Sequence, residues 1–247
     1  MTIRSIENEK VKHYLKLQQK KYRDKYQEFL VEGSHLVLEA YRHGYLKELI
    51  IEEDQVFPIE VEQVEVTSAI IKKISQVPSP QKVIGLCQKI TPATLGDRIL
   101  ILDGLQDPGN VGTIIRSAVA FGIDTIILGE NTVDLYNPKV IRSTQGMLFQ
   151  VPVMTANIDT IIPKLKEKNI KLFATRVEYG KPLSILTKED KKHFALIVGN
   201  EGNGVEQKYL EQSDENLYIP MQASVESLNV ACATSIILYE MRLEDEN

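Results

Sequence analysis

Five polar side chains in the second half of this chain have the types and spacing to do chemistry. Asn110 and Arg116 lie in DGLQDPGNVGTIIRSAVAFG, Glu201 in VGNEGNGV, and Ser227 and Asn229 in IPMQASVESLNVACATS. An arginine can bind a phosphate or stabilise negative charge developing on an oxygen, and amide and hydroxyl groups can orient a reacting centre. Each segment joins an apolar, strand-like run to a polar loop, and strand ends are where α/β proteins build their sites. Taken singly, every one has a plainer reading. Asn110 stands where a helix N-cap belongs, Ser227 can cap a helix starting at Leu228 with Asn229 in its first turn, and Glu201 can simply face solvent. Arg116 lies off the apolar stripe of Ile114, Ile115, Ala118 and Val119, beside Thr113 and Ala120, and exposed arginines are usually only solvated.

The glycines narrow the chemistry. Gly199, Gly202 and Gly204 surround Asn200 and Glu201, which permits close backbone approach to a ligand or positive φ in tight turns. The run lacks the lysine of a GxxxxGK(S/T) phosphate loop, and no GxGxxG is present, so nucleotide triphosphates and dinucleotides lose support. His13, His35, His43 and His193 lie outside the three segments without metal-ligand spacing, and no metal is expected. Cys87 and Cys232 sit in separate apolar patterns and read as reduced core residues, which fits a cytoplasmic setting.

The elements that must position these groups alternate from Ile99 onward. ILILDGL, DTIILG, LFQVPVM, IKLFATR, FALIVGN and ENLYIPM read as strands. Helices are expected near 111–121, 138–147, 159–168, 205–211 and 228–242, with Val230, Ala231, Cys232, Ile236 and Ile237 as the apolar face of the last and Gly122 as the stop of the first. Near-continuous apolar strands between helices imply a parallel sheet covered on both faces. Before this, residues 1–90 read as a small α/β unit. It comprises a charged helical extension over 4–25, a helix in FLVEGSHLVLEAYRHG, strands in LKELIIEED, PIEVEQVEV and KVIGLCQKI, and a short helix over 68–75. TPATLGDR, residues 91–98, reads as a linker.

At 247 residues, 43% hydrophobic and 26% charged, the chain has the composition of an ordinary globular protein of one or two domains. No apolar run approaches the ~18 residues of a membrane span, and MTIRSIENEKVKHYLK is too polar for a secretory segment. The net charge of −5 argues against indiscriminate nucleic-acid binding. Yet the stretch from Arg4 to Lys25 carries eight basic and three acidic residues, with Tyr14, Tyr22 and Tyr26 interleaved. Such a stretch is either a solvated helix face or an RNA surface on which rings stack against unpaired bases. Lys20, Lys21 and Arg23 are its candidate RNA contacts.

In this order and spacing the three segments resemble the motifs of the SpoU (TrmH) family of RNA 2′-O-ribose methyltransferases. Asn110 and Arg116 match the first motif, Gly199 to Gly202 the second, and Ile219-Pro220-Met221 with Ser227-Leu228-Asn229 the third; the match covers 99–240. FLVEGSHLVLEA and SPQKVIGLC look like the N-terminal substrate-binding domain of many members, a ribosomal-protein L30e-type RNA-binding fold. Departures are small: Ala223 stands where Gly is common, and Thr144 before Gln145-Gly146 where Ser is common. The resemblance implies S-adenosylmethionine as methyl donor, a trefoil-knotted parallel-sheet domain over 99–247 of the SPOUT type, and a homodimer with its sites near the interface. It implies that Gly199, Asn200, Gly202, Ile219, Met221 and Leu228 hold the donor, with Asn110, Glu201, Ser227 and Asn229 ordering the reacting centre. Arg116 would act on the ribose 2′-hydroxyl or its phosphate. A guanidinium resists deprotonation, so phosphate binding and charge stabilisation are the safer role, with general-base action a hypothesis. The substrate implied is large-subunit (23S) ribosomal RNA. The rivals are transfer RNA, or a noncatalytic RNA-binding or ribosome-assembly factor that has kept the fold.

Overall fold

Runs such as ILIL and ALIV present aliphatic side chains at every position, so they are stable only as strands buried on both faces. In the computed structural model, which describes residues 2–90, 94–222 and 224–243, they lie at the centre of a parallel sheet. The chain opens with α1 (Glu9–Lys16), α2 (Lys20–Tyr26), β1 (Glu28–Glu32), α3 (Ser34–Arg42), β2 (Leu46–Glu52), β3 (Glu62–Val66), α4 (Ser68–Ile74) and β4 (Val83–Gln88). Next come β5 (Arg98–Asp103), α5 (Pro108–Ala120), β6 (Thr125–Gly129), α6 (Pro138–Thr144), β7 (Val153–Ala156) and α7 (Ile158–Glu167). It ends with β8 (Lys171–Thr175), β9 (Lys181–Pro182), β10 (Phe194–Gly199), α8 (Gln207–Gln212), β11 (Glu215–Tyr218) and α9 (Val230–Glu240). No described helix is long and apolar enough to cross a membrane.

Two units result, Met1–Ile90 with Leu135–Gln150, and Thr91–Asp134 with Val151–Asn247. The expected linker over 91–98 coincides with the first change of unit, although 91–93 lie outside the described residues and β5 already begins at Arg98. The segment 135–150, expected inside the second unit, belongs to the first, where α6 packs on β1 and Phe29 meets the rings of Tyr136 and Phe149.

The first unit has a four-stranded sheet ordered β1-β4-β2-β3, with β4 antiparallel to both neighbours and β2 parallel to β3. β1 was not expected, because its five residues run straight into the helix pattern that follows. The basic stretch is no extension. Val11, Tyr14 and Leu17 are fully buried with Ile50, Ile70 and Ile84, and each such side chain stabilises by about 1.5–3 kcal/mol. This burial also corrects the assignment of Arg23 as an RNA contact. Its guanidinium is buried and donates to the carbonyls of Leu17 and Gln18 at 3.0 and 2.9 Å, capping the end of α1.

The second unit has a seven-stranded sheet ordered β7-β6-β5-β10-β8-β11-β9, and every pair in it is parallel. Ile99, Ile101 and Ile197 pack with α7 residues Ile158, Ile161 and Leu165, while α5 and α9 pack against one another. The expected strand LFQVPVM is shorter than its apolar run. Met147–Phe149 form a 3-10 turn and only Val153 onward pairs, because Pro152 has no N–H to give a ladder. The apolar face expected for α9 is also corrected. Ala231, Thr234, Ile237 and Leu238 are the buried set, whereas Cys232 and Ile236 are exposed.

Candidate functional site

The turn from β5 into α5 ends on Asp107, not Asn110. Asp107 is the N-cap, its Oδ1 accepting the N–H of Asn110 at 2.9 Å, and Pro108 at the first helical position needs no partner for its missing N–H. Asn110 therefore sits in the first turn with its amide released from capping. That amide joins the other two segments. Asn110 Nδ2 donates to Glu201 Oε1 at 3.1 Å, and Asn110 Oδ1 accepts from Asn229 Nδ2 at 3.0 Å.

Asn229, rather than Ser227, is the N-cap of α9. Its Oδ1 accepts the N–H groups of Ala231 and Cys232 at 2.9 and 3.2 Å, so its NH2 is the end left to donate. The polarity of the chain is fixed from the helix backbone through Asn229 and Asn110 to Glu201. Ser227 is exposed and lies at the rim of the cleft described below.

Glu201 is held by more than one donor. Besides Asn110, the backbone N–H groups of Asp107 and Gln106 reach its two oxygens at 3.2 and 3.3 Å. Partial burial works to raise its pKa, but these donors and its own backbone N–H outweigh it and hold the carboxyl below the usual range. The loop beneath it is tied back on itself. Asn200 and Gly204 exchange backbone hydrogen bonds of 3.0 and 2.9 Å, and Asn200 Nδ2 donates to the carbonyl of Gly104 at 2.8 Å. Asn200 Oδ1 accepts from Gly202 N at 2.9 Å, so this side chain builds the loop. Gly199 has no room for a side chain, since a Cβ there would stand 2.0 Å from Gly204 C and Val205 N. Asp103, at the buried end of β5, accepts the N–H of Glu206 at 2.9 Å, and burial pushes its carboxyl up.

Beside this network lies a cleft of ≈ 480 Å³. Gly199, Asn200, Gly202, Ile219, Met221 and Leu228 all line it, as do Glu201 and Ser227. Ala223 lies outside the described residues. Sequence reasoning missed one wall, Thr175 at the end of β8 and the residues after it to Tyr179; the signal was a strand end before Gly180. Arg116 is not part of this wall. It is exposed on α5, and no hydrogen bond or ion pair holds it among the described residues. In the other unit Lys20 and Lys21 are exposed, as an interface with a polyanion requires.

The chain resembles known proteins along its whole length. Residues 97–239 match the SpoU rRNA Methylase family, and residues 8–85 the MRM3-like substrate binding domain. The 23S rRNA (guanosine(2553)-2′-O)-methyltransferase RlmP of Bacillus subtilis is 38% identical, over 97% of this chain and 98% of its own. The mitochondrial rRNA methyltransferase 3 of Xenopus tropicalis is 26% identical over 92% of this chain and 72% of its own. Among solved structures, the AdoMet-bound rRNA methyltransferase of Sinorhizobium meliloti superposes with a TM-score of 0.85 at 29% identity, covering 98% and 97% of the two chains.

Proposed function

The chain belongs to the SpoU rRNA methylase family, and from that we propose that it methylates a ribose 2′-hydroxyl of 23S ribosomal RNA, with S-adenosylmethionine as donor. The observation that carries this reading is the hydrogen-bonded chain Asn229–Asn110–Glu201, which ties three distant segments together at the edge of one glycine-lined cleft. A volume of ≈ 480 Å³, with bare backbone at Gly199 and Gly202 and aliphatic side chains from Ile219, Met221 and Leu228, fits a ligand with a flat heterocycle and a short polar tail. These residues, with the loop built by Asn200, would hold the donor. When bound, S-adenosylmethionine supplies a methyl group on a positively charged sulfur.

The chain's own groups position the acceptor. Glu201 fixes the Asp107 turn and Asn110, and Asn110 fixes the start of α9, so the polar rim is set before any ligand arrives. Ser227 offers a hydroxyl at that rim. Arg116 binds the phosphate beside the target ribose and stabilises the oxygen as its proton leaves. Lys20 and Lys21 draw the RNA backbone to the N-terminal unit, next to the stacked rings of Tyr22 and Tyr26, 6.3 Å apart.

The reading includes a homodimer. Arg116 does not line the cleft of its own chain, and an exposed apolar stripe of Cys232, Ile236 (41%) and Tyr239 (49%) on α9 adjoins its helix, linked by the Ser117–Ser235 hydrogen bond of 2.7 Å. A second copy covering this stripe would complete each site. It includes the trefoil knot as well, which the return of the chain from β11 past β10 to lay α9 on α5 supports. It also includes a cytoplasmic location, where the ribosomal RNA is. Titration calorimetry tests the donor site: S-adenosylmethionine and S-adenosylhomocysteine should bind, and NAD and ATP should not. RNA binding without donor binding would make the chain a noncatalytic scaffold.

A further inference from the structure

The turn from Arg176 to Gly180 joins β8 to β9, and Thr175 to Tyr179 form one wall of the cleft. Both ends of the turn are pinned to β11. Arg176 N donates to Leu217 O at 2.9 Å, and β9 pairs with β11 through Leu217 and Tyr218. Lys181 bridges to Glu215 at 2.7 Å, and a Cβ on Gly180 would come within 3.0 Å of Asn216 O, so the backbones meet closely. Between these anchors no hydrogen bond or ion pair holds Val177, Glu178 or Tyr179 among the described residues. Tyr179 is 89% exposed and has φ of 58°, a left-handed conformation uncommon for a bulky residue, which here closes the turn before Gly180. Its neighbour Val177 is 56% exposed. A tyrosine ring presented to water on the wall of a cleft whose floor carries aliphatic side chains such as Ile219, Leu228 and Val230 beside glycine backbone has an open face for a flat partner.

We propose that Tyr179 is a positioning residue that stacks on a nucleobase entering this cleft. The guanidinium of Arg176 lies 5.8 Å from the ring centroid, a cation–π contact within the same turn. The inference rests on the methyltransferase reading, because that reading brings nucleobases here. Two sources share this chemistry, the adenine of the donor and the base of the acceptor nucleotide. Aromatic stacking on a base changes affinity by roughly 5- to 150-fold on alanine substitution, and a phenylalanine ring should replace the tyrosine almost fully.

The test uses the full-length protein as wild type, Tyr179→Ala and Tyr179→Phe. It measures S-adenosylhomocysteine affinity by calorimetry, and KM and kcat for methylation of ribosomal RNA. Donor affinity about tenfold weaker in Tyr179→Ala and restored in Tyr179→Phe assigns the ring to the donor's adenine. Unchanged donor affinity, with an RNA KM about tenfold higher in Tyr179→Ala alone, assigns it to the acceptor base. Wild-type values for Tyr179→Ala in both arms overturn the inference and leave the methyltransferase reading standing. A wild type that binds no donor overturns that reading and the inference with it.

Discussion

Gly199→Ala should collapse the donor site through a clash of known size. An added Cβ would sit 2.0 Å from Gly204 C and Val205 N, where ordinary contacts begin near 3.4 Å, so the two backbones must part by more than 1 Å. That movement breaks the Asn200–Gly204 pair of 3.0 and 2.9 Å, worth about 1 kcal/mol per bond. Overpacking adds about 1–3 kcal/mol, which gives about 3–5 kcal/mol in all. For a domain of this size the melting temperature of the C-terminal unit should fall by roughly 6–20 °C. Gly202→Ala is the control, since its Cβ would meet only Asn200 Oδ1 at 3.5 Å. It should stay within about 0.5 kcal/mol of wild type. Differential scanning calorimetry compares the three proteins, and S-adenosylhomocysteine titration should show Gly199→Ala without measurable binding. A Gly199→Ala protein as stable as Gly202→Ala would refute the argument from backbone contact.

Other substitutions separate structure from function. Arg98 donates to Gly122 O at 2.8 Å and to Phe121 O and Met241 O at 3.0 Å, joining the ends of α5 and α9, so Arg98→Met should cost about 2–4 kcal/mol in urea unfolding. Glu201→Gln keeps the shape but turns one acceptor into a donor facing backbone N–H groups, and should lower kcat/KM by roughly 5- to 30-fold, or about 1–2 kcal/mol. Because the folded pKa of Glu201 lies below its unfolded value, its stabilising contribution is present above the unfolded pKa and lost only as pH falls through the lower folded one. Lowering the pH from about 7 to about 5 should therefore bring no loss of donor affinity from this group. Lys20→Glu with Lys21→Glu should weaken RNA binding and reduce its salt slope by up to about 1.4, leaving melting unchanged. Arg23→Ala should instead lower the melting temperature of the N-terminal unit, because its guanidinium caps α1.

The parallel sheet was legible because strands buried on both faces must be apolar at every position. The orientation of α9 was hidden because its polar residues, Thr234, Ser235 and Glu240, are spread around the helix and mark no single face. Cys232 and Ile236 therefore read as core, and only packing against α5 decides that Ala231, Thr234 and Ile237 turn inward. Capping was misassigned twice for one reason. Asp107 and Asn110, like Ser227 and Asn229, are both competent caps, and local chemistry does not choose between them. Pro108 was the overlooked sign in the first case, since proline at the first helical position puts the cap at Asp107. In the second the choice follows from tertiary contact, because Asn229 can cap and still reach Asn110. Arg23 shows the limit of charge patterns: a basic run reads identically whether a guanidinium meets solvent or the end of a neighbouring helix. The site residues were visible as types and spacing, but their linkage through Asn110 required the fold.

The central claim is methyl transfer to a ribose oxygen, and the direct measurement is labelled-methyl transfer from S-adenosylmethionine to ribosomal RNA of cells lacking this protein. Wild type and Arg116→Ala are compared, with the RNA digested to nucleosides. Label should appear only in a 2′-O-methylated nucleoside, with the rate about 100-fold lower in Arg116→Ala. Label on a base, or none on naked RNA or on ribosomal subunits despite donor binding, would contradict the account.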